Sequence, residues 1–166
     1  TAETNKQGHL IIGNCDVTEL ASEFGTPLYI YDEDTLRWMC KEFVREFTSR
    51  YSETKVLYAS KAFINPAIAK IVHEEGLGVD VVSGGELALV QAAGIPPEHI
   101  YFHGNNKTPG ELVQALDAGV GRIVVDGFSE LDLLETLAKE AGVEADIMLR
   151  LSPGVDPHTH VHTTTG

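Results

Sequence analysis

The residues of this chain that could do chemistry recur at regular intervals. Lys61 ends the apolar run in VLYASKAFINP, and Asp80 lies within GVDVVSGGE just before Ser83, Gly84 and Gly85. His103, Asn105, Asn106 and Lys107 follow in YFHGNNKT, Asp126 in RIVVDG, and Arg150 and Ser152 in ADIMLRLS. An amine in a partly apolar mouth has its charged form disfavoured by burial. A neutral amine attacks an aldehyde and forms an imine. The plainer reading of Lys61 is a lysine that reaches past a strand end into water. Asp80 stands inside an apolar strand, where a carboxylate without a partner is costly, so it needs a structural hydrogen bond or a cofactor. Arg150 poses the same question with a rigid fork of donors. Ser83-Gly84-Gly85-Glu86 has the composition of a phosphate cradle, but it is first of all a helix-capping box. His158, His160 and His162 share a face only if extended, with Asp156 as the one acidic residue near them. That set is short of ligands, and the segment reads as a flexible loop rather than a metal site.

The elements that must position these residues form a repeat. Apolar runs begin at Lys55, Gly78, Ile100, Arg122 and Ala145, one every 22 to 23 residues. Each is short, β-branched or aromatic, and apolar on both faces, as strands of a covered parallel sheet are. Helices fill the intervals. Asn65 and Pro66 open the first and Gly76 closes it; Ser83 with Glu86 opens the second, which ends at Gly94. Thr108, Pro109 and Glu111 open the third, which ends at Gly119; Ser129 opens the fourth, which ends at Gly142. A leucine-rich solenoid has a similar period, but its L-x-x-L-x-L frame is absent. No G-x-G-x-x-G follows the first strand, which weakens an open doubly wound sheet. What remains is an α/β protein built as a partial (β/α)8 TIM barrel, with its first five strands present. In such a barrel the polar set above gathers at the carboxyl ends of the strands, where helix N-termini also converge.

A complete barrel takes roughly 250 residues, and this chain has 166. The expectation is therefore part of a longer protein. A half-barrel exposes apolar sheet and unpaired edges, so it should self-associate or be marginally stable. A stable monomeric mass in solution would contradict this. The first fifty residues stand outside the repeat as a strand-helix extension. GHLIIG reads as a strand, Asp16 to Glu19 as a capping box for a helix ending near Gly25, and PLYIYD as another strand. Asp32 caps a long helix to about Arg50, with Leu36, Cys40, Phe43 and Phe47 expected in the core.

The formal net charge is −13 with no basic cluster. That charge repels nucleic acid and anionic membranes. No apolar run approaches the roughly 20 residues that span a bilayer. Cys15 and Cys40 form no metal or disulfide pattern, which points to a reducing, cytoplasmic setting.

YASKAF, GVDVVSGGE, YFHGNNKT and LRLSPGVDPHTH, in this order on successive strands, resemble the diaminopimelate decarboxylases. These belong to the alanine-racemase-like group of pyridoxal-phosphate enzymes. The likeness runs from about Gly8 to Gly166. Y-A-x-K alone is shared with ornithine and arginine decarboxylases, whereas HGNNKT and PGVDPHTH point to the diaminopimelate branch. The resemblance implies that Lys61 is catalytic and holds pyridoxal 5'-phosphate covalently, with Asp80, His103 and Arg150 beside the cofactor. It implies decarboxylation of meso-2,6-diaminopimelate to L-lysine by a complete enzyme that is a homodimer. Residues 1–27 would then pair with a C-terminal β-domain, and residues 28–166 would be an incomplete cofactor-binding barrel. The family's cofactor-stacking histidine, glycine-rich phosphate loop and catalytic cysteine match nothing in these residues. By itself the chain is expected neither to hold the cofactor tightly nor to turn over. A non-decarboxylating pyridoxal-phosphate carrier barrel is the alternative of a different class.

Overall fold

The computed structural model describes residues 2–154. Asp156 and the three histidines at 158, 160 and 162 lie outside the described residues. The N-terminal extension forms its own antiparallel sheet. Strands β1 (Ala2–Thr4), β2 (Leu10–Ile12) and β3 (Cys15–Asp16) pair in that order. Helix α1 (Val17–Phe24) follows directly. Asp16 ties these pieces together. Its carboxylate accepts the Thr18 amide at 2.8 Å and the Thr18 hydroxyl at 2.6 Å. His9 Nδ1 lies 2.8 Å away and Asn5 donates from 3.2 Å. The Thr18 hydrogen bonds, with His9 second, hold the Asp16 carboxyl far below the usual carboxylate range. The cap therefore works through Thr18, not through the expected box with Glu19.

The second sheet carries the repeat. Strands β4 (Leu57–Ala59), β5 (Gly78–Val81), β6 (Ile100–Phe102), β7 (Arg122–Val125) and β8 (Ile147–Leu149) are parallel and lie side by side in chain order. Helices α3 (Pro66–Glu74), α4 (Gly84–Ala92), α5 (Pro109–Ala118) and α6 (Phe128–Ala141) connect them. Side chains alternate across a strand. Val79, Val81, Ile100, Phe102, Ile123 and Val125 are all buried, together with Ala69, Val72, Leu87, Val90, Leu112, Ala115 and Leu134 from the helices. On the other face Asp80, Tyr101 and Val124 are only half-buried. The cover expected on both faces is thus present on one, because five strands do not curl far enough to pack on themselves. Ile147, Met148 and Leu149 are exposed on the last strand.

Local chemistry explains most helix ends. Asn65 accepts the Ile68 amide at 2.9 Å and Ser83 accepts the Glu86 amide at 3.2 Å. Thr108 and Glu111 form a reciprocal capping box. Gly119 and Gly142 take left-handed conformations, φ 64° and 68°, where a side chain would be strained. Helix α6 departs from expectation. Its cap is Gly127, without a side-chain bond, and Ser129 lies within the first turn. Asp126, the nearest residue with capping chemistry, is engaged by Arg150 at 2.8 Å.

Two further expectations are corrected. Helix α2 (Glu33–Thr48) buries Cys40 and packs Leu36 and Val44 on the core, but Phe43 and Phe47 are 49% and 54% exposed. The helix docks along α3, fastened by Arg37, whose guanidinium reaches Glu74 and Glu75 at 2.8 Å each. That contact turns Leu36, Cys40 and Val44 inward and leaves the Phe43 and Phe47 side of the stripe outside. Phe43 lines an apolar cavity of about 370 Å³ with Met39, Tyr31, Tyr58 and Phe63. PLYIYD is not a strand. Its residues have no ladder partner among the described residues, and Tyr31 instead stacks on Phe63, ring centroids 4.8 Å apart. Alternation favours an extended backbone, but a strand also needs a neighbour to bond.

Candidate active site

The site is built on the carboxyl ends of the parallel strands. After β4 the chain makes a single tight turn, Ser60–Ala62, that presents Lys61. Ser60 is 2% exposed, and its hydroxyl donates to the Asp80 carbonyl at 2.7 Å and also contacts the Glu86 carboxylate. Glu86 in turn accepts the Val82 amide at 2.8 Å. This pair locks the Lys61 turn to β5 and to the first turn of α4. The Lys61 side chain itself is exposed and makes no hydrogen bond to the described residues. It reaches past the strand end into water, as the plainer sequence reading has it, rather than lying in an apolar mouth, since the open face of the sheet leaves its amine exposed.

Asp80 is half-buried at the end of β5, aligned with Ala59 on one side and Tyr101 on the other. His103 Nδ1 lies 3.7 Å from its Oδ2. Burial pushes the Asp80 carboxyl up, against the pull of His103 and Lys61, and Glu86 adds to the rise. His103 is held by its own amide, which donates to the Val81 carbonyl at 2.8 Å. Its Nε2 is buried without a hydrogen-bond partner among the described residues. The chain turns away at Gly104, with φ 107°; a Cβ there would stand 3.0 Å from the Val82 carbonyl, so glycine is required twice over.

Lys61, Asp80 and His103 thus converge at the ends of three adjacent strands. Arg150 does not join them directly. It stands at the end of β8, paired with Asp126 from the end of β7. Ser83-Gly84-Gly85 acts as a helix start: the Gly84 amide is taken by the Glu111 carboxylate at 2.8 Å. Lys107 leaves the mouth altogether. It is 7% exposed and reaches inward to Gly104, Val124 and Glu130. Sequence gives no sign of Ser60 or Glu130 as parts of the site's frame, and it reads Glu86 as a cap or part of a phosphate cradle rather than as the partner of Ser60. Glu86 was visible three residues after Ser83; nothing in sequence marks Ser60 as buried.

Chemically, the mouth offers a primary amine, a carboxylate beside it, and an imidazole nitrogen, with neither the amine nor that nitrogen hydrogen-bonded among the described residues. Those are suited to capturing a carbonyl compound and orienting it with charge. Asp80 also makes a prediction about pH. Its folded value lies above the ordinary 3.8, so the folded state binds its proton more tightly than the unfolded state does. The fold is favoured by that proton below 3.8, and the advantage is lost as pH rises through the higher folded value. Asp80→Asn is therefore expected to gain in thermal midpoint relative to the parent as pH rises through this window. Parallel melts from pH 3 to 8 check it; a constant difference would contradict it.

Residues 36–166 match the family model described as "Pyridoxal-dependent decarboxylase, pyridoxal binding domain". The chain is 51% identical over 166 residues to the diaminopimelate decarboxylase of Bacillus subtilis (strain 168), covering all of this chain and 38% of that protein. It is 46% identical over 158 residues to that of Mycobacterium tuberculosis (strain H37Rv), covering 95% of this chain and 35% of that one. Among solved structures, the diaminopimelate decarboxylase of M. jannaschii in co-complex with L-lysine superposes with a TM-score of 0.85 at 36% identity. That superposition covers 99% of this chain and 38% of the other. The chain therefore spans less than two fifths of the length of these relatives. No helix of the described residues is long and apolar enough to cross a membrane.

Proposed function

Because the chain belongs to the pyridoxal-dependent decarboxylases and carries their pyridoxal binding domain, we propose that it serves a diaminopimelate decarboxylase. The reaction is loss of carbon dioxide from meso-2,6-diaminopimelate to leave L-lysine, catalysed by a cytoplasmic homodimer of the complete protein. The observation that carries this reading is the Lys61 amine, uncommitted at a strand end, with Asp80 and His103 gathered beside it. The residues fit pyridoxal 5'-phosphate: an amine for its aldehyde, a carboxylate, and an imidazole nitrogen lacking a partner among the described residues. When bound, that cofactor supplies an aldehyde that takes up amines and a ring that accepts the electron pair released with carbon dioxide.

The chain's own groups then have distinct tasks. Lys61 provides the covalent anchor and, as a free amine, a place to hold a proton at Nζ. Asp80 places negative charge beside that amine, and His103 moderates that charge. Arg150, held by Asp126, presents a cation at the same rim. Ser60 and Glu86 keep the Lys61 turn in place.

The test is turnover by the complete protein with pyridoxal phosphate, offered meso-diaminopimelate, ornithine and arginine in turn. Lysine formed from the first, with far slower reaction of the others, supports the proposal. Preference for ornithine or arginine would move the chain to the related decarboxylases. Cofactor binding without decarboxylation of any of them would favour a carrier.

A further inference from the structure

We propose that the buried Lys107–Glu130 pair is the positioning clamp that holds the His103–Asn106 turn in its working shape. The turn has few other restraints. His103 is fixed at its amide by Val81, but beyond it the chain reverses through Gly104, and Asn105 and Asn106 are both exposed. Lys107 then reaches back. Its ammonium donates to the Gly104 carbonyl at 2.7 Å and to the Val124 carbonyl at 2.8 Å, and it lies 2.7 Å from Glu130 Oε1. The ammonium lies 6.0 Å from the centroid of the Phe102 ring. The Lys107 side chain is 1% exposed and Glu130 is 12% exposed.

An ammonium has three hydrogens to donate; here two backbone carbonyls accept, and a third oxygen, Glu130 Oε1, stands beside them as the ion-pair partner without hydrogen-bond geometry. Each comes from a different element: the turn itself, β7 and the first turn of α6. A buried cation is tolerated only with such pairing. A structural ion pair would need only to join α6 to the sheet. This one spends a donor on the carbonyl of the glycine that reverses the turn, directly after the residue that faces Asp80. Lys107 touches no reacting group, so its role is to position rather than to catalyse.

The turn matters to catalysis only if the mouth is the proposed cofactor site. The clamp itself can be examined in the chain without cofactor, so the two readings fail separately. Asp80 is the reporter. The charged groups that face it are Lys61 from the β4 end, Glu86 from α4 and His103 from the β6 end. Carboxyl ¹³C NMR follows its titration, with the signal assigned by Asp80→Asn. Lys107→Met removes a cation and Glu130→Gln removes an anion. Acting through space alone, these changes would move Asp80 in opposite directions. Releasing the turn draws His103 away from Asp80 in both variants, and so raises the midpoint in both.

The expected result is an upward shift in each, comparable with that of His103→Ala, and no further shift when His103→Ala is added to either. Opposite shifts, or lost thermal stability with an unmoved Asp80, would overturn the proposal. Where Lys107→Met does not fold, Lys107→Arg keeps the charge but changes its shape. A rise of the His103→Ala kind supports the clamp there, and an unchanged midpoint overturns it.

Discussion

Lys61→Ala in the complete protein is expected to abolish decarboxylation while leaving the fold intact. Loss of a covalent nucleophile costs on the order of 10³- to 10⁶-fold in turnover. The structural cost should be negligible, because the side chain is exposed and makes no hydrogen bond to the described residues. The backbone of the turn is held by Ser60 and Glu86, which the substitution does not touch. Two measurements separate the chemistry from the fold. Borohydride reduction of the parent with pyridoxal phosphate, followed by peptide mapping, should place the adduct on the YASK peptide, and the variant should yield none there. Without cofactor, the thermal midpoints of the two should agree. An adduct on another lysine, or near-normal turnover by the variant, would remove the centre of the proposed mechanism. A large loss of stability would show that Lys61 has a structural partner.

Phe102→Ala is expected to have the largest effect on stability. Phe102 is 0% exposed on the middle strand of the sheet, aligned with Val81 on one side and Ile123 on the other. Its ring fills the space between β6 and the helices, and the Lys107 ammonium stands near it. Truncating a buried phenylalanine costs about 3–5 kcal/mol, part transfer and part cavity. A domain is stable by only about 5–15 kcal/mol, so the variant should lose roughly a fifth or more of its margin. Urea unfolding of parent and variant gives the difference. Tyr101→Ala is the control. Tyr101 adjoins Phe102 on the same strand but belongs to the half-buried face, and its loss should cost clearly less. Equal losses would mean that both faces of the sheet carry comparable packing, contrary to the one-sided core described above.

Lys107 illustrates how far a chemical reading of sequence carries. In HGNNKT it looks like a fourth polar group at the mouth. Its side chain instead turns inward, because two carbonyls and a carboxylate from separate elements meet behind the loop. Glu130 is 23 residues further along and carries no local sign of the pairing. Phe43 and Phe47 err the other way: helical spacing placed them in a core that α2 offers only to Leu36, Cys40 and Val44. In PLYIYD the alternation was real, but the hydrogen-bonding neighbour was not there among the described residues.

What the residues determine alone are features set within a few positions along the chain. The strand period, the caps at Asn65, Ser83 and Thr108, and the left-handed glycines at 119 and 142 are of this kind, since each depends on bonds between near neighbours. The parallel repeat follows from them, and with it the placing of Lys61, Asp80 and His103 at one edge. Which of those groups touch was decided only by the fold. The 3.7 Å approach of His103 to Asp80, the Arg150–Asp126 pair and the inward turn of Lys107 all join residues from different repeats. Their distances depend on strand register and loop path, which arise when the whole sheet packs and which no single segment encodes.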